Sequence, residues 1–294
     1  MRCALIGVTG QLGFDLARTF DLPGELIRLT HADLDLLETG AIARVLRDVR
    51  PTHVVNAAAY NLVDRAEDER ERAFALNAEA VGTLAETCEA LGATLVHFST
   101  DYVFDGAKTS AYTESDAPAP LSVYAESKLA GERLALARCR RAFVIRVCGL
   151  YGVAQSATAG RTNFVETMLR LAGQGQALRV VRDQVLTPSY TLDLAPKVWR
   201  VLARGAPRLY HLANAGQTSF YDFAREIFRL SGLTPSLTPV TAAEYGARAR
   251  RPPYSVMART RLAALGEDDL RPWQAALAAY LRERVTRPTA PAGS

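Results

Sequence analysis

The fold is decided by residues 3–20, which read CALIGVTGQLGFDLARTF. A short apolar run ends in a glycine-rich turn at Gly7, and apolar side chains follow with helical spacing from Gln11 onward. An apolar run of this length is typical of a parallel strand that is buried on both faces. The stretch therefore predicts a β-strand, a tight turn and an α-helix in direct succession.

The turn carries three glycines at the spacing G-x-x-G-x-x-G, namely Gly7, Gly10 and Gly13. Glycine is favoured where the backbone must turn tightly or approach a phosphate closely. The N-terminus of the helix that follows offers unpaired N–H groups and the positive end of its dipole to a pyrophosphate. At the first strand–helix junction of an α/β pattern the triplet predicts a dinucleotide site, and an ordinary tight turn is the alternative.

Strand and helix patterns continue to alternate through the first 150 residues. Further strands are predicted at ELIRL (25–29), HVVNAAA (53–59), TLVHFS (94–99) and FVIRV (143–147), and helices at 39–49, about 64–91 and 122–137. Such alternation is typical of a parallel sheet with helices on both faces. We therefore expect an α/β protein with a doubly wound parallel sheet.

The second half of the chain is less regular and predicts a smaller, interleaved C-terminal substrate domain. Helices are predicted at 162–175, 192–205 and 219–232, and strands at 178–181 and 209–214. The dinucleotide-binding domain is expected at 1–150, continued by about 178–214, and the substrate-binding part at 151–177 and 215–286. The last residues, 287–294, lack apolar side chains for packing and are expected to be disordered.

Composition and charge limit the classes of function. The net charge of +4 comes with no basic stripe interleaved with aromatic residues, so we expect no nucleic-acid partner. The densest basic run, RARR at 248–251, is expected to be mainly a solvated face. No apolar run reaches the roughly 18 residues that cross a bilayer, and the N-terminus does not resemble a signal peptide, so no membrane partner is expected.

The cysteines and histidines are scattered along the chain. The four residues of each type show no metal-ligand spacing, and no C-x-x-C motif occurs. We therefore expect no metal site and a reduced, cytoplasmic location.

The residues after the second predicted strand bear on the choice of cofactor. A dinucleotide fold usually has an acidic residue about 20 residues after the glycine turn, where it holds the adenosine ribose. Here Thr30 and His31 stand at the strand end, and Asp33 and Asp35 come slightly later. No acid stands where it would repel a 2′-phosphate, and no arginine stands where it would bind one. Either NADP(H) or NAD(H) is therefore compatible with the sequence.

Three polar residues beyond the fourth predicted strand suggest ketone reduction. Thr100 ends that strand, where a side chain faces the ligand in doubly wound folds. Tyr124 and Lys128 lie one turn apart on a predicted helix, although a chance Y-x-x-x-K is a common alternative. Reduction of a ketone leaves an alkoxide that must receive a proton, and a nearby ammonium is expected to lower the phenol pKa. Lys128 can also bind the nicotinamide ribose, and Thr100 can hold the carbonyl oxygen.

Together these motifs resemble those of the extended short-chain dehydrogenases/reductases, and specifically of the dTDP-4-dehydrorhamnose reductase family. The resemblance covers nearly the whole chain. It rests on GVTGQLG (7–13), RPTHVVNAAAYNLVDRAE (50–67), LN (76–77), HFSTDYVFDG (97–106), VYAESKLAGE (123–132), NFVETML (163–169), DQVLTPSYT (183–191), LYHLAN (209–214) and RPPYS (251–255). It implies a Rossmann fold and a reductase of the 4-keto group of a dTDP-6-deoxy-hexulose that uses NAD(P)H.

The resemblance also implies roles for individual residues. The catalytic residues would be Thr100, Tyr124 and Lys128. The cofactor would be bound by Gly7, Gly10, Gln11, Leu12, Gly13, Thr30, Asp35, Asn56, Ala57, Ala58 and Ala59, together with Tyr124 and Lys128. The nucleotide-sugar would contact Asp101, Tyr102, Asn163, Gln184 and Arg251. For Asn163, capping of the helix that follows is an equal alternative. Family members often dimerise, so a homodimer is an open alternative.

Two features depart from the family pattern. The family commonly carries an aromatic residue near the sugar in an R-T-S-W-V-Y-like run, whereas this chain has RVCGLYG (146–152) with Gly149 at that place. Residues 154–162 also form a longer loop than usual. We expect a gap beside the sugar at Gly149 that the loop partly fills, which leaves the identity of the sugar open.

Other functions share parts of this pattern. A non-catalytic regulatory subunit, such as the β subunit of methionine adenosyltransferase, would keep the cofactor site, but the intact catalytic residues argue against it. A nucleotide-sugar epimerase resembling GDP-fucose synthase would add a cysteine and a histidine, and no cysteine stands near the strand-four motif in the sequence. Sugar-nucleotide dehydratases usually have Asp-Glu after the catalytic threonine, whereas Tyr102 follows Asp101 here.

Overall fold

The computed structural model describes residues 1–154 and 163–286. The tail expected at 287–294 and most of the loop at 154–162 lie outside the described residues. The strands are β1 Arg2–Ile6, β2 Glu25–Leu29, β3 His53–Asn56, β4 Thr94–Thr100, β5 Ala142–Val147, β6 Leu150–Tyr151, β7 Leu178–Val181, β8 Val185–Leu186, β9 Ser189–Tyr190, β10 Leu209–Leu212, β11 Thr218–Ser219 and β12 Leu237–Val240.

The helices follow the predicted alternation. They are α1 Gln11–Arg18, α2 Thr39–Val49, α3 Val63–Ala66, α4 Arg70–Phe74, α5 Ala80–Leu91, α6 Val123–Arg138, α7 Phe164–Gly173, α8 Thr191–Arg204, α9 Phe220–Ser231, α10 Ala242–Tyr245, α11 Thr260–Ala264 and α12 Trp273–Thr286. A π-helical segment, Ala75–Glu79, joins α4 to α5, and a 3₁₀ turn, Asp101–Val103, follows β4. No helix in the described part of the chain is both long and apolar enough to span a bilayer.

Six parallel strands form the central sheet in the order β10-β5-β4-β3-β1-β2. The chain moves outward from β1 to β2 on one side and from β3 onward on the other, so the order reverses between β1 and β3. In doubly wound folds, ligands bind beyond the carboxyl ends of the strands at this reversal. The predicted α/β class with a doubly wound parallel sheet is therefore confirmed.

The inner strands are mainly apolar because helices cover both faces of the sheet. Successive residues of a strand point to opposite faces. Leu5 of β1 packs in the hydrophobic core shared with α1 and α8, whereas Ile6 packs in the core shared with α2 and α5. The continuous apolar pattern that predicted buried strands thus reflects two separate cores.

The helical stretch expected at about 64–91 is interrupted in the structure. It contains α3, α4, the π-helical segment and α5, and it ends as expected at Gly92, whose φ is +66°. Within the π-helical segment, buried Asn77 accepts a hydrogen bond from the Tyr60 amide at 2.9 Å and donates to the Tyr60 carbonyl at 2.9 Å and to Ser127 at 3.0 Å. These bonds tie the segment to the chain after β3 and to α6.

The placement of β7 differs from the expected domain division. The strand at 178–181 was expected to continue the cofactor-binding domain, but β7 pairs in parallel with β12 outside the central sheet. Leu178 and Val180 share a hydrophobic core with Phe223 and Ile227 of α9. β7 is therefore buried within the substrate-side unit. Of the expected continuation, α8 covers the central sheet and β10 joins its edge.

The C-terminal helix α12 was not predicted. Its apolar residues Trp273, Ala276, Leu277 and Tyr280 are buried against α9 and the neighbouring strands. They recur at i, i+3, i+4 and i+7, but alanine and leucine also occupy the other faces of the helix, so the apolar periodicity in the sequence was weak. The strand β12 contains Pro239 and therefore gave no strand signal of its own.

Candidate active site

The glycine turn packs tightly against the carboxyl end of β3. Gly7 has a φ of +81°, and a Cβ added there would lie 2.8 Å from the Ala58 amide nitrogen. A Cβ at Gly13 would lie 2.1 Å from the Gly7 carbonyl oxygen, so α1 could not approach the turn with any larger residue. Gly10 is less crowded, because a Cβ added there would meet only the Gly7 oxygen, at 3.4 Å. Gly10 is the N-cap of α1 and has no side chain that could bond the first N–H groups of the helix. The N-terminus of α1 is thereby left open beside the switch point of the sheet.

Residues after β3 form the other wall of this crevice. Ala57, Ala58 and Ala59 are half-buried, whereas Asn56 is buried and its amide oxygen accepts from the Ala58 N–H at 3.1 Å. Asn56 therefore shapes the turn from inside. Leu12 likewise packs in the hydrophobic core and contributes to the crevice through its backbone only.

The acids after β2 are engaged in local turns. The Asp33 carboxylate accepts from the Thr30 amide at 2.8 Å and from its hydroxyl at 2.6 Å, and these bonds lower the pKa of Asp33. Asp35 accepts from the Leu37 amide at 2.9 Å. Both carboxylates are therefore bonded within their own turns, and the compatibility of this strand end with either nicotinamide cofactor stays a prediction.

The structure brings Thr100, Tyr124 and Lys128 together at the carboxyl edge of the sheet. The Thr100 hydroxyl lies beside the Tyr124 phenol, close enough to affect its pKa. Lys128 lies one turn further along α6, is buried, and donates from Nζ to the Phe98 carbonyl of β4 at 2.6 Å. Ser122 caps α6 by accepting from the Ala125 amide at 3.3 Å, which fixes the start of the helix that carries the pair.

The pKa expected for Tyr124 is wrong in direction. Burial raises the pKa of the phenol to about 12, and the charge of Asp101 adds to the rise, while the Thr100 hydrogen bond opposes it. Lys128 does not lower it, because its ammonium is directed to the Phe98 carbonyl and burial lowers its own pKa to about 8. The phenol therefore stays protonated at neutral pH, which is the form that a proton donor requires.

Asp101 is turned into the protein. It is 2% exposed, and its carboxylate accepts from the Thr100 hydroxyl at 3.1 Å and from the Cys148 thiol at 3.1 Å, with Ser255 as a further partner. A cysteine does therefore stand near the strand-four motif, because β5 runs beside β4 and brings Cys148 to the same edge. Burial raises the pKa of the Cys148 thiol far above its usual value, so it is protonated.

A groove of about 470 Å³ is lined by two of the expected substrate residues, Gln184 and Arg251. Tyr102 connects this groove to the trio, because its side chain lies beside Arg251 and its ring meets the Tyr124 ring edge-to-face, with the ring centroids 6.2 Å apart. Asn163 lies elsewhere: its Oδ1 accepts from the Glu166 amide at 2.9 Å at the start of α7. The capping alternative for Asn163 is confirmed.

The expected gap at Gly149 is absent. Gly149 has a φ of +52°, and an added Cβ would lie 2.8 Å from Leu186 Cδ1 and 3.3 Å from Pro188 Cα. The segment between β8 and β9 fills the space in which an aromatic side chain was expected. Tyr151 does not turn toward the groove either, since it is buried and stacks on Tyr190 with the ring centroids 5.7 Å apart.

Two residues at the site were not identified from the sequence. Asp64 pairs with Arg251 through both carboxylate oxygens, and Ser255 reaches Asp101 from the substrate side. Both stand within motifs that carried the family resemblance, 50–67 and 251–255, but their partners are distant in the chain. Across residues 1–154 and 163–286, no cluster of three or more His, Cys, Asp or Glu could hold a metal ion.

A doubly wound sheet whose switch point holds a glycine turn, with a threonine, a tyrosine and a lysine at its carboxyl edge, defines the extended short-chain dehydrogenase/reductase class. Comparison with known proteins places the chain further. It belongs to the family described as RmlD substrate binding domain, whose model matches residues 1–286.

Relatives match the chain over nearly their whole length. The spore coat polysaccharide biosynthesis protein SpsK of Bacillus subtilis is 39% identical over 95% of this chain and 96% of its own. The crystal structure of a dTDP-4-dehydrorhamnose reductase from Clostridium acetobutylicum superposes with a TM-score of 0.90 at 35% identity, covering 96% of this chain and 99% of the other. That of the Bacillus anthracis dTDP-4-dehydrorhamnose reductase, in complex with NADP, gives a TM-score of 0.89 at 32% identity with the same coverage.

Proposed function

We propose that this chain is an NAD(P)H-dependent reductase of the 4-keto group of a dTDP-6-deoxy-hexulose, with dTDP-4-dehydrorhamnose as the principal candidate substrate and dTDP-L-rhamnose as its product. The observation that carries the proposal is the approach of the Tyr124 phenol to the Thr100 hydroxyl, with Lys128 one turn away on α6. Relatives of similar sequence that are named dTDP-4-dehydrorhamnose reductases support the choice of sugar.

NADP(H) or NAD(H) fits the crevice at the switch point. The open N-terminus of α1 at Gly10 would receive the pyrophosphate. Gly7 is so close to Ala58 that no side chain can stand there, so the pyrophosphate could approach the backbone of the turn. Half-buried Ala57–Ala59 would line the cofactor, and Lys128 would bind the nicotinamide ribose. The nicotinamide, when bound, supplies the hydride that reduces the ketone carbon.

Tyr124 donates the proton in this proposal. The sugar oxygen takes the proton of the Tyr124 phenol as negative charge develops on it. The Thr100 hydroxyl donates to Asp101 in the structure and would turn its proton to the sugar oxygen when the substrate binds, which holds that oxygen in line. Asp101 thus affects the substrate by positioning Thr100. Asn163 affects it by capping α7 and so fixing where that helix begins. Tyr102, Gln184 and Arg251 are left as the direct contacts of the nucleotide-sugar.

Two alternatives are less well supported by the site. A regulatory subunit needs no proton donor, yet Tyr124 and Thr100 are both present and lie side by side. An epimerase resembling GDP-fucose synthase needs a cysteine that exchanges protons with the substrate, and the buried Cys148 thiol is bonded to Asp101.

The proposal extends to the cellular compartment, the domain division and the oligomeric state of the protein. All four cysteines are free and buried, which suits a reduced, cytoplasmic compartment. We propose a cofactor unit formed by residues 1–150 with α8 and β10, and a substrate unit formed by the remaining elements. A homodimer, common among the relatives the sequence resembles, stays a prediction.

The proposal is tested by mixing the purified chain with dTDP-4-dehydrorhamnose and NADPH or NADH. We expect the absorbance of the reduced nicotinamide to fall and dTDP-L-rhamnose to form, as identified by NMR. The matched control is a GDP-linked 4-keto-6-deoxy sugar, which should react poorly. Tight NADPH binding without turnover of any dTDP-keto-sugar would favour the regulatory alternative and overturn the proposal.

A further inference from the structure

The basic run at 248–251 is not simply a solvated face. Arg251 forms a bidentate ion pair with Asp64 of α3, from Nη1 to Oδ1 at 3.0 Å and from Nη2 to Oδ2 at 2.7 Å. The Ala249 amide donates to the same Oδ1 at 3.0 Å, and Arg248 pairs with Asp68. Two carboxylates that follow the cofactor-lining turn therefore tie this run to the cofactor unit.

The pair with Asp64 fixes the plane of the Arg251 guanidinium. Arg251 is 19% exposed at its side chain, and a guanidinium has five N–H donors in a rigid fork. Three donor bonds go to the Asp64 oxygens and to the Ala249 carbonyl, the last at 3.1 Å. The guanidinium also lies beside Tyr102, and Arg251 lines the groove together with Gln184.

Two arginines and one carboxylate line this groove, and the arginines suit an anionic occupant. Asp64 neutralises Arg251, and Asp105 accepts from the Ala107 amide and the Tyr112 hydroxyl. Arg250 is exposed and has no ion pair among the described residues. Arginine binds phosphate oxygens through parallel N–H bonds, which requires the guanidinium plane to be held in one orientation. The diphosphate of a nucleotide-sugar carries negative charge and offers pairs of oxygens to such a guanidinium.

We propose that Asp64 is a positioning residue, which holds the Arg251 guanidinium in the orientation that binds the diphosphate of the nucleotide-sugar. This inference rests on the proposed function, which makes a dTDP-sugar the occupant of the groove. Asp64 belongs to the cofactor unit and Arg251 to the substrate unit. The ion pair therefore sets the position of the sugar relative to the cofactor across the two units.

The test replaces Asp64 by Asn and uses Asp68→Asn as the matched control. Asp68 pairs with Arg248 in an exposed ion pair, and neither residue lines the groove. We expect Asp64→Asn to raise KM for the keto-sugar and Kd for dTDP, measured by calorimetry, about tenfold, the change expected when one charge-assisted contact is lost. The kcat should change less than about threefold and Kd for NADPH should not change, because the Tyr124–Thr100 pair is untouched.

Two further variants separate positioning from general destabilisation. Arg251→Lys keeps the charge but loses the fork, so it should raise KM as Asp64→Asn does, and Asp64→Glu should restore part of the affinity. If Asp64→Asn and Arg251→Lys lower the melting temperature without raising KM for the keto-sugar, Asp64 is only structural and the inference is wrong. If the wild type neither binds dTDP nor reduces the keto-sugar, the proposed function itself has failed.

Discussion

Tyr124 lies at one end of a chain of buried polar groups. Its phenol lies beside the Thr100 hydroxyl, which donates to Asp101, and Asp101 also accepts from Cys148. The Thr100 oxygen in turn accepts from the Tyr102 amide at 3.2 Å. These bonds hold the Thr100 side chain in place beside the phenol before any substrate arrives.

We expect Tyr124→Phe to abolish most turnover while leaving cofactor affinity intact. The variant removes only the hydroxyl, and general acid catalysis typically contributes about 10²- to 10⁴-fold. Single-turnover kinetics with dTDP-4-dehydrorhamnose measures the loss, and fluorescence titration with NADPH serves as the control. Retention of a near-wild-type kcat would remove the role assigned to Tyr124.

Burial of Lys128 gives stability a pH dependence of predictable sign. Burial lowers its pKa in the folded protein to about 8, from 10.5 in the unfolded chain, so the unfolded chain binds more protons between these values. The wild type should therefore gain stability relative to Lys128→Met as pH rises from about 8 to 10.5. Melting temperatures of both proteins without cofactor measure the gap, and a gap that stays constant would contradict the assigned pKa.

The residue types of the trio could be predicted from the sequence, but their electrostatics could not. A Tyr–Lys pair one turn apart indicates a shared helix face, and a strand-end threonine indicates the same edge. The direction of the Tyr124 pKa depends on how deeply α6 is buried, which local sequence does not record. The contact of Cys148 with Asp101 depends on the pairing of β4 with β5 and was missed for the same reason.

At the level of elements, the end of β2 bears on cofactor choice. Because Asp33 is bonded to Thr30 and Asp35 to Leu37, neither acid is directed at a 2′-phosphate. We expect Kd values for NADPH and NADH that differ by less than about tenfold, or about 1.4 kcal/mol. Isothermal calorimetry with both cofactors measures the ratio, and a hundredfold preference would show that another element reads the 2′ position.

The turn between β5 and β6 needs glycine at position 149. An L-residue in the left-handed region costs roughly 1–2 kcal/mol, and an added Cβ at Gly149 would also press on Leu186. We expect Gly149→Ala to lower the free energy of unfolding by about that amount in urea denaturation. In the control Gly40→Ala, within α2, the added Cβ meets no atom within 4 Å, so it should stabilise by up to about 1 kcal/mol. Equal effects of the two variants would contradict this account.

Helices and strands with strong local patterns could be predicted from the sequence. Which strands pair with each other could be predicted only where strands and helices alternate regularly. The strands and helices of the first 150 residues follow the alternation that their apolar runs indicate. The pattern at 64–91 gave no sign of the π-helical segment. That segment is stabilised by hydrogen bonds from Asn77 to Tyr60 and Ser127, which are distant in the chain and leave no trace in the local pattern. Strand β7 was recognised as a strand, but its pairing with β12 depends on a long-range contact.

At the scale of the whole molecule, the cofactor unit and the C-terminal helix are joined beside the glycine turn. Arg18 of α1 pairs with Glu283 of α12 at 2.5 Å and with Asp15 at 2.5 Å, and Glu283 also accepts from the Tyr190 hydroxyl. Asp15 is fully buried and is further bonded by Thr191 of α8. This cluster connects three helices that are far apart in the chain.

We expect Glu283→Gln to destabilise the protein by about 1–3 kcal/mol, because Arg18 and Tyr190 would lose a charged partner in a half-buried position. The control is Glu226→Gln, which breaks an ion pair with Arg229 inside α9 and should cost no more than about 0.5 kcal/mol. Urea denaturation of both variants measures the difference. Equal losses would show that the Arg18–Glu283 pair contributes no more than a local surface pair.

The late position of β10 in the chain has a consequence for biosynthesis. β5 is buried along its whole length, and Leu209–Leu212 of β10 pair with its outer edge. While the ribosome synthesises the intervening residues, a nascent sheet of β1–β5 would display the unpaired edge of β5 to other chains. We expect truncated chains that end before β10 to aggregate or to recruit a chaperone, and chains extended beyond Leu212 to be released from it.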